Sequence, residues 1–544
     1  MASTKHTLPE VRALHHLERY MVSRGNIHAF YNVIAGPRIR PTANNKSLHP
    51  STDNSLDWAT FLARPLTWLI QEHPTLSVVV RDHLSNAPWF VRLPSVDLAK
   101  IVRVATVQNP EDVSSILEEE HNMPFDLADW SVPMWRIIVV RVVADGSFYL
   151  LYNFHHAIGD GRSAMALTEQ LHEQVNLAAL HSKDTTTAST PLIVPSPDNK
   201  PMYVPIELRI DCRPRFKTLT KEVIPHLLFP RALKRALATK YWAGDVDAKA
   251  DQKNISQLAR FQLTAQETAM VVQAAKKRQN TVQSVFHAAA VFAVQSCFIY
   301  PSQLTGDAID PAQRYSTPIA MRDLLPLLDE KARIARTDQG TYTAEALDNV
   351  VLRPESSFWK VAKDYRRDIV KATQTREGVR GLLEHGGMLN YVPNHNGGWE
   401  EFFQDQYSEE QHGRRATMLI SNLGRGWPER PLAAKATKAA KTAAGQEGHR
   451  EEEEGDQQQQ DTYEVEDAIF SQSAETIGMT FSYSVATANG VLTATNTWQA
   501  SAFHSRDRGE WYTRETKRIL LQACQADRED LSMQQAFDAC EPRP

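Results

Sequence analysis

Two rhythms of apolar residues run along this chain. Two β-rich apolar runs, Arg136 to Val143 and Ser147 to Phe154, flank Ala144-Asp145-Gly146, and aspartate-glycine between such runs predicts a hairpin. Further strands are expected at Leu76–Asp82, at Trp89–Leu93, over "SQLARFQLT" (256–264) and at least twice between Asp467 and Trp498. Helical spacing predicts helices over Trp58–Glu72, Ser163–Val175, Ala265–Arg278, Thr281–Gln295 and Phe358–Thr373. Residues 11 to 34 read as a helix followed by a strand. Near the end, Arg514 to Ala526 sets Ile519, Leu520, Leu521 and Ala523 beside Lys517 and Arg518. This stripe predicts a helix docked on the core, with an interfacial helix as the alternative.

The chain is 544 residues long, more than one core usually supports, so two domains are expected. Residues 182 to 204 are rich in Ser, Thr and Pro and read as the crossover, dividing the chain into 1–204 and 205–544. Residues 431 to 461 run from Lys and Ala to Glu and Gln, with almost no apolar side chain larger than alanine. Such a stretch does not offset the entropy of ordering and reads as a disordered insertion in the second half.

A net charge of −5 with no basic stripe argues against a nucleic-acid partner. Four cysteines, Cys212, Cys297, Cys524 and Cys540, form no C-x-x-C pair, which fits a reducing compartment. The start, MASTKHTLPEVRALHHLERY, lacks the apolar centre of a signal peptide, and no run approaches 18 consecutive apolar residues. A cytoplasmic monomer without a membrane span is expected, with peripheral attachment to a membrane or lipid droplet as the alternative.

Between the second apolar run and the Ser163–Val175 helix stands "NFHHAIGDGRS", residues 153–163. Chemistry often sits at such a strand-to-helix passage. His155, His156 and Asp160 have the atoms for a metal site. Adjacent residues on a strand point to opposite faces, however, and no HExxH or Cys/His cluster supports them. The segment also reads as a polar turn closed by Asp160-Gly161. A third reading makes a neutral imidazole a general base near pH 7, with the aspartate turned away to an arginine. Spacing alone leaves the choice open. "GRSAM" has a serine but no nucleophile elbow.

"HHAIGDG" resembles the HHxxxDG motif of the coenzyme A-dependent acyltransferase superfamily, which includes chloramphenicol acetyltransferase-like enzymes, plant BAHD acyltransferases and the condensation domains of peptide synthetases. "PFDLADWSVPMWRIIVV" before it is similar to that superfamily's F-D-L and P-L-W-R segment. "LERYMVSRGNIHAFYNV", "TPIAMRDLLP" and "ISNLGRG" resemble, in order, segments of the fungal alcohol acetyltransferases. Plant BAHD enzymes carry D-F-G-W-G where this chain has "ISNLGRG". The resemblance implies an α/β fold of two chloramphenicol acetyltransferase-like domains, each a mixed sheet with flanking helices, and a tunnel between them. It implies an O-acyltransferase that moves an acetyl or short acyl group from acetyl-CoA or another acyl-CoA to a small-molecule alcohol, with no permanently bound cofactor and no metal. His156 would be the base and Asp160 the structural acid, with Arg322 a candidate partner. Gly161 would allow a tight turn, and His155 would be structural. Ser421 or Asn422 would help hold the thioester oxyanion. The alternatives are a condensation-type enzyme with a carrier-bound donor or amine acceptor, and a non-catalytic relative.

Overall fold

The computed structural model of the chain describes residues 8–42, 56–181, 190–198, 200–220, 228, 230, 233, 240–249, 252–301, 312–394, 398–409, 413–428 and 463–542. The segment 431–461, expected as a disordered insertion, lies outside them. The strands are β1 (Glu10–Ala13), β2 (Val33–Pro41), β3 (Val78–Arg81), β4 (Trp89–Arg92), β5 (Ser95–Asp97), β6 (Val102–Val107), β7 (Trp135–Val142), β8 (Phe148–Phe154), β9 (Ile193–Pro195), β10 (Ser256–Leu263), β11 (Ala312–Ala320), β12 (Thr343–Val351), β13 (Ala416–Arg425), β14 (Tyr463–Gln472), β15 (Met479–Ala488) and β16 (Val491–Gln499).

One large sheet has the order β14-β2-β8-β7-β6, the other β10-β16-β15-β13-β11-β12. Both are mixed. β6 runs parallel to β7, and β13 runs parallel to both β11 and β15, while the remaining pairs are antiparallel. β7 and β8 form the expected hairpin, and Gly146 takes the left-handed conformation at its turn (φ 71°). Both faces of this hairpin are covered. Val139, Leu150 and Phe154 pack with Leu62, Leu66 and Leu171 of the Trp58–Glu72 and Gly161–His181 helices. Ile138, Val140 and Leu151 pack with Val113 and Leu117 on the other side. Double coverage explains why these runs are apolar throughout and do not alternate.

In the second sheet the core centres on the Val282–Val294 helix, buried at every position from Ser284 onward. Thr281 starts it by capping the Ser284 N–H. Among the described residues, Val282–Ile299 is long and apolar enough to cross a membrane, but 89% of it is buried inside the protein, as in the core helix of a folded domain. The penultimate helix, Arg506–Ala523, buries Ile519, Leu520 and Ala523 in the same core, and a short helix, Met533–Asp538, follows it.

Two elements depart from the sequence reading. The stretch read as a linker supplies β9, which pairs with β5. The two sheets also do not divide at residue 204. β14 crosses back to become the edge of the first sheet, with Phe470 opposite Ala35 in β2. The chain thus crosses between the sheets twice more, into β14 and back out to β15, and the site is built around that passage.

Candidate active site

β8 ends at Phe154, and the helix Gly161–His181 begins seven residues later. Between them His155 and His156 diverge, as strand alternation requires. His155 is buried under the His16–Asn26 helix. A Cβ added at Gly25 would lie 3.0 Å from its Nε2, and its Nδ1 accepts the Ala157 N–H at 3.2 Å. Burial, together with the neighbouring His156, pushes its pKa down to about 3. His155 is thus a buried, neutral ring.

His156 faces the other way, onto a cavity of about 320 Å³ between the two sheets. Its ring sits 5.9 Å from that of Phe30 and 6.4 Å from that of Phe154. Nδ1 is enclosed on the side of the His156 and Gly159 backbone, and the ring opens onto the cavity. Burial lowers the His156 pKa and the charge of Arg24 adds to this. Backbone carbonyls and Asp160 oppose it. The ring is neutral at pH 7, the protonation state a base requires.

Asp160 turns away from the cavity and is fully buried. Its Oδ2 accepts from Arg322 Nη1 at 2.7 Å and from the Tyr342 N–H at 2.9 Å. Its Oδ1 accepts from the Ser163 N–H at 2.8 Å and Ser163 Oγ at 3.1 Å. Arg322 also donates to Ser163 Oγ at 2.7 Å and to the Asp338 carbonyl at 3.1 Å. Burial alone would raise the Asp160 pKa. The Arg322 charge and these donors reverse that and hold it below the usual carboxylate range. Thr341 Oγ1 donates to the His156 carbonyl at 2.8 Å, so the 338–342 segment grips the histidine loop on both flanks. With four donors on Asp160 and His155 facing elsewhere, the three residues do not converge on one ion.

Gly161 needs a different explanation from the one expected. It is not among the glycines with positive φ. A Cβ there would lie 2.7 Å from Leu423 Cδ2 and 3.2 Å from Phe470 Cζ. The residue is small because β13 and β14 cross directly over the start of the helix. We expect Gly161→Ala to lower stability by about 1–3 kcal/mol through overpacking, and Leu423→Ala in the same chain to recover part of it. A calorimetric melt checks this, and an unchanged melting temperature would contradict the crossing.

Ser421 lines the cavity from β13. Asn422 does not: its Oδ1 accepts the Gly424 N–H at 2.8 Å and closes a turn around Gly424 (φ 74°). The expectation that Asn422 reaches a ligand is corrected by that self-contained turn. Beyond it, Trp427 donates its N–H to Glu169 at 2.9 Å and its indole N–H to Thr168 at 2.8 Å, so "SNLGRGW" straps the second sheet to the Gly161–His181 helix.

The sequence reading missed a charged patch on the cavity wall. Arg24 pairs with Glu475 at 2.6 Å, and Glu345 pairs with Arg415 at 2.6 Å, with His385 beside Arg415. The rest of the wall is largely apolar, including Met21, Phe30, Leu389, Phe403 and Met479.

Two mixed sheets with a histidine-bearing cavity between them define the class: this is a chloramphenicol acetyltransferase-like acyltransferase fold. A trichothecene 15-O-acetyltransferase, TRI3 of Fusarium sporotrichioides, superposes with a TM-score of 0.59 at 12% identity over 94% of this chain and 95% of that one. The condensation domain of the Monacolin K polyketide synthase MokA gives a TM-score of 0.52 at 10% identity, over 95% and 98%. These likenesses concern the fold. The family model for alcohol acetyltransferase matches residues 111–427, more than half of the chain, and the chain belongs to that family. A probable alcohol acetyltransferase of Aspergillus fumigatus, crmB, is 26% identical over 148 residues, which make up 26% of this chain and 32% of that protein. A probable diacylglycerol O-acyltransferase of Mycobacterium tuberculosis, tgs2, is 33% identical over 102 residues, 19% of this chain and 22% of that one. The matched stretches thus span a third or less of these relatives.

Proposed function

We propose that the chain transfers an acetyl or short acyl group from a coenzyme A thioester to the hydroxyl of a small-molecule alcohol, by direct attack with His156 as general base. One observation carries this reading. His156 alone of the motif's polar side chains opens onto the cavity, neutral, on a loop pinned by Asp160 and Thr341. The acceptor hydroxyl gives its proton to Nε2 as its oxygen attacks the thioester carbon. The carbonyl oxygen becomes an anion, and when it re-forms the double bond the sulfur leaves and takes the proton from the imidazolium. Asp160 touches none of these atoms. It holds the loop through Arg322, and so positions the base.

The lowered His156 pKa sets the pH dependence. A base works in its neutral form, so activity should persist below the ordinary histidine value of about 6.5 and be lost only as pH falls through the lowered value. The dependence of kcat/KM on pH tests this, and a loss centred at or above the ordinary value would contradict it.

A condensation-type reaction with a carrier-bound donor is the second reading, supported by the shared fold of the MokA condensation domain. Activity with free acetyl-CoA favours the first reading. Activity only with a phosphopantetheinylated carrier favours the second.

A further inference from the structure

We propose that Arg24, held by Glu475, is the donor that receives the carbonyl oxygen of the transferred acyl group as that oxygen becomes an anion. The inference rests on His156 being the base. Arg24 lies in the last turn of the His16–Asn26 helix and lines the same cavity as His156. Its guanidinium stands 4.7 Å from the centre of the Phe30 ring, the ring that also neighbours His156, and 5.3 Å from that of Tyr20. One end pairs with Glu475 Oε2 at 2.6 Å, and Nη1 has only the Met21 sulfur at 3.9 Å. A guanidinium has five N–H groups, more than these two contacts use.

The placement is electrostatically unfavourable for a base unless an anion forms beside it. The Arg24 charge opposes protonation of His156, yet His156 must gain a proton in the reaction. An oxyanion between the two cations removes that conflict, because the charge it accepts develops as the imidazolium forms. At rest the wall is balanced. Glu475 pairs with Arg24, and Arg415 pairs with Glu345 with His385 alongside. Ser421 faces the cavity as well, but as a neutral hydroxyl, and Asn422 is turned into its own loop.

The electron count is that of direct transfer. The acceptor oxygen forms a bond to the acyl carbon and loses its proton to His156. The carbonyl π pair moves to the oxygen at Arg24. The pair then returns, the carbon–sulfur bond breaks, and the thiolate takes the proton.

The test uses the full chain with acetyl-CoA and an alcohol it accepts, with melting curves for each variant. We expect Arg24→Gln to lower kcat by about 10²–10³ while KM stays within about threefold. Arg24→Lys should recover at least about tenfold of that loss, since it keeps the charge but not the fork. Free guanidinium ion should raise kcat of Arg24→Ala and leave the wild type unchanged. A folded Arg24→Gln with kcat within about twofold of wild type, or with the loss confined to KM, overturns the proposal. Unfolding of Arg24→Lys and Arg24→Gln alike, or no response of Arg24→Ala to guanidinium, assigns Arg24 to the fold and also overturns it. If His156→Ala is inactive while Arg24→Gln is fully active, the base reading stands and this one falls. If both variants are active, the base reading has failed.

Discussion

His156→Ala should lose acyl transfer by a factor of about 10² to 10⁴, the usual contribution of a general base, with almost no change in melting temperature. The ring opens onto a cavity, so its removal takes away little packing. Phe30 and Phe154 remain to form the wall. His155→Ala should behave in the opposite way. That ring is buried under Gly25 and accepts the Ala157 N–H, so its removal should lower stability more than it lowers the rate of the surviving folded enzyme. Parallel kinetics and calorimetry on the two variants separate the roles. If His155→Ala is the inactive one with an unchanged melt, the base has been assigned to the wrong histidine.

Asp160→Ala should be the most destabilising single change in the motif, by about 3–5 kcal/mol, because it strands a buried cation. It leaves Arg322, the Tyr342 N–H and the Ser163 N–H without their acceptor in the interior. The same pair joins the two halves of the chain, so the loss should appear as one cooperative transition at lower temperature. Because the folded carboxyl is held below its ordinary value, its stabilisation is present above the unfolded value of about 3.9 and is lost as pH falls through the lowered folded value. Arg322→Met should lower stability comparably by leaving Asp160 unpaired. Chemical denaturation read by fluorescence checks both variants. Unfolding free energies within about 0.5 kcal/mol of wild type would mean that the pair does not join the halves.

What the sequence made legible was local. The Asp145-Gly146 hairpin follows from two apolar runs and a glycine suited to a left-handed turn. The opposed directions of His155 and His156 follow from strand geometry alone. The family resemblance placed Arg322 as a candidate partner for Asp160, and the two are ion-paired. What stayed hidden depends on contacts between distant segments. β14 presents an apolar face like its neighbours, and nothing in its pattern says that it pairs with β2 of the first sheet. Gly161 is legible as a special position, but its reason, the passage of Leu423 and Phe470 over the helix start, exists only once the two halves are assembled. The Arg24–Glu475 and Glu345–Arg415 pairs are likewise invisible beforehand. Charged residues in an amphipathic helix or strand default to solvent, and only closure of the cavity buries them.

Direct transfer from coenzyme A to an alcohol through His156 leaves no acyl group on the protein at any stage. Its most direct test mixes the protein with isotopically labelled acetyl-CoA and a panel of alcohols and amines, and follows both the small molecules and the intact protein by mass spectrometry. Labelled esters are expected with the wild type, none with His156→Ala, and no label on the protein at any time. A labelled acyl-enzyme, or ester formation that survives in His156→Ala, would contradict it.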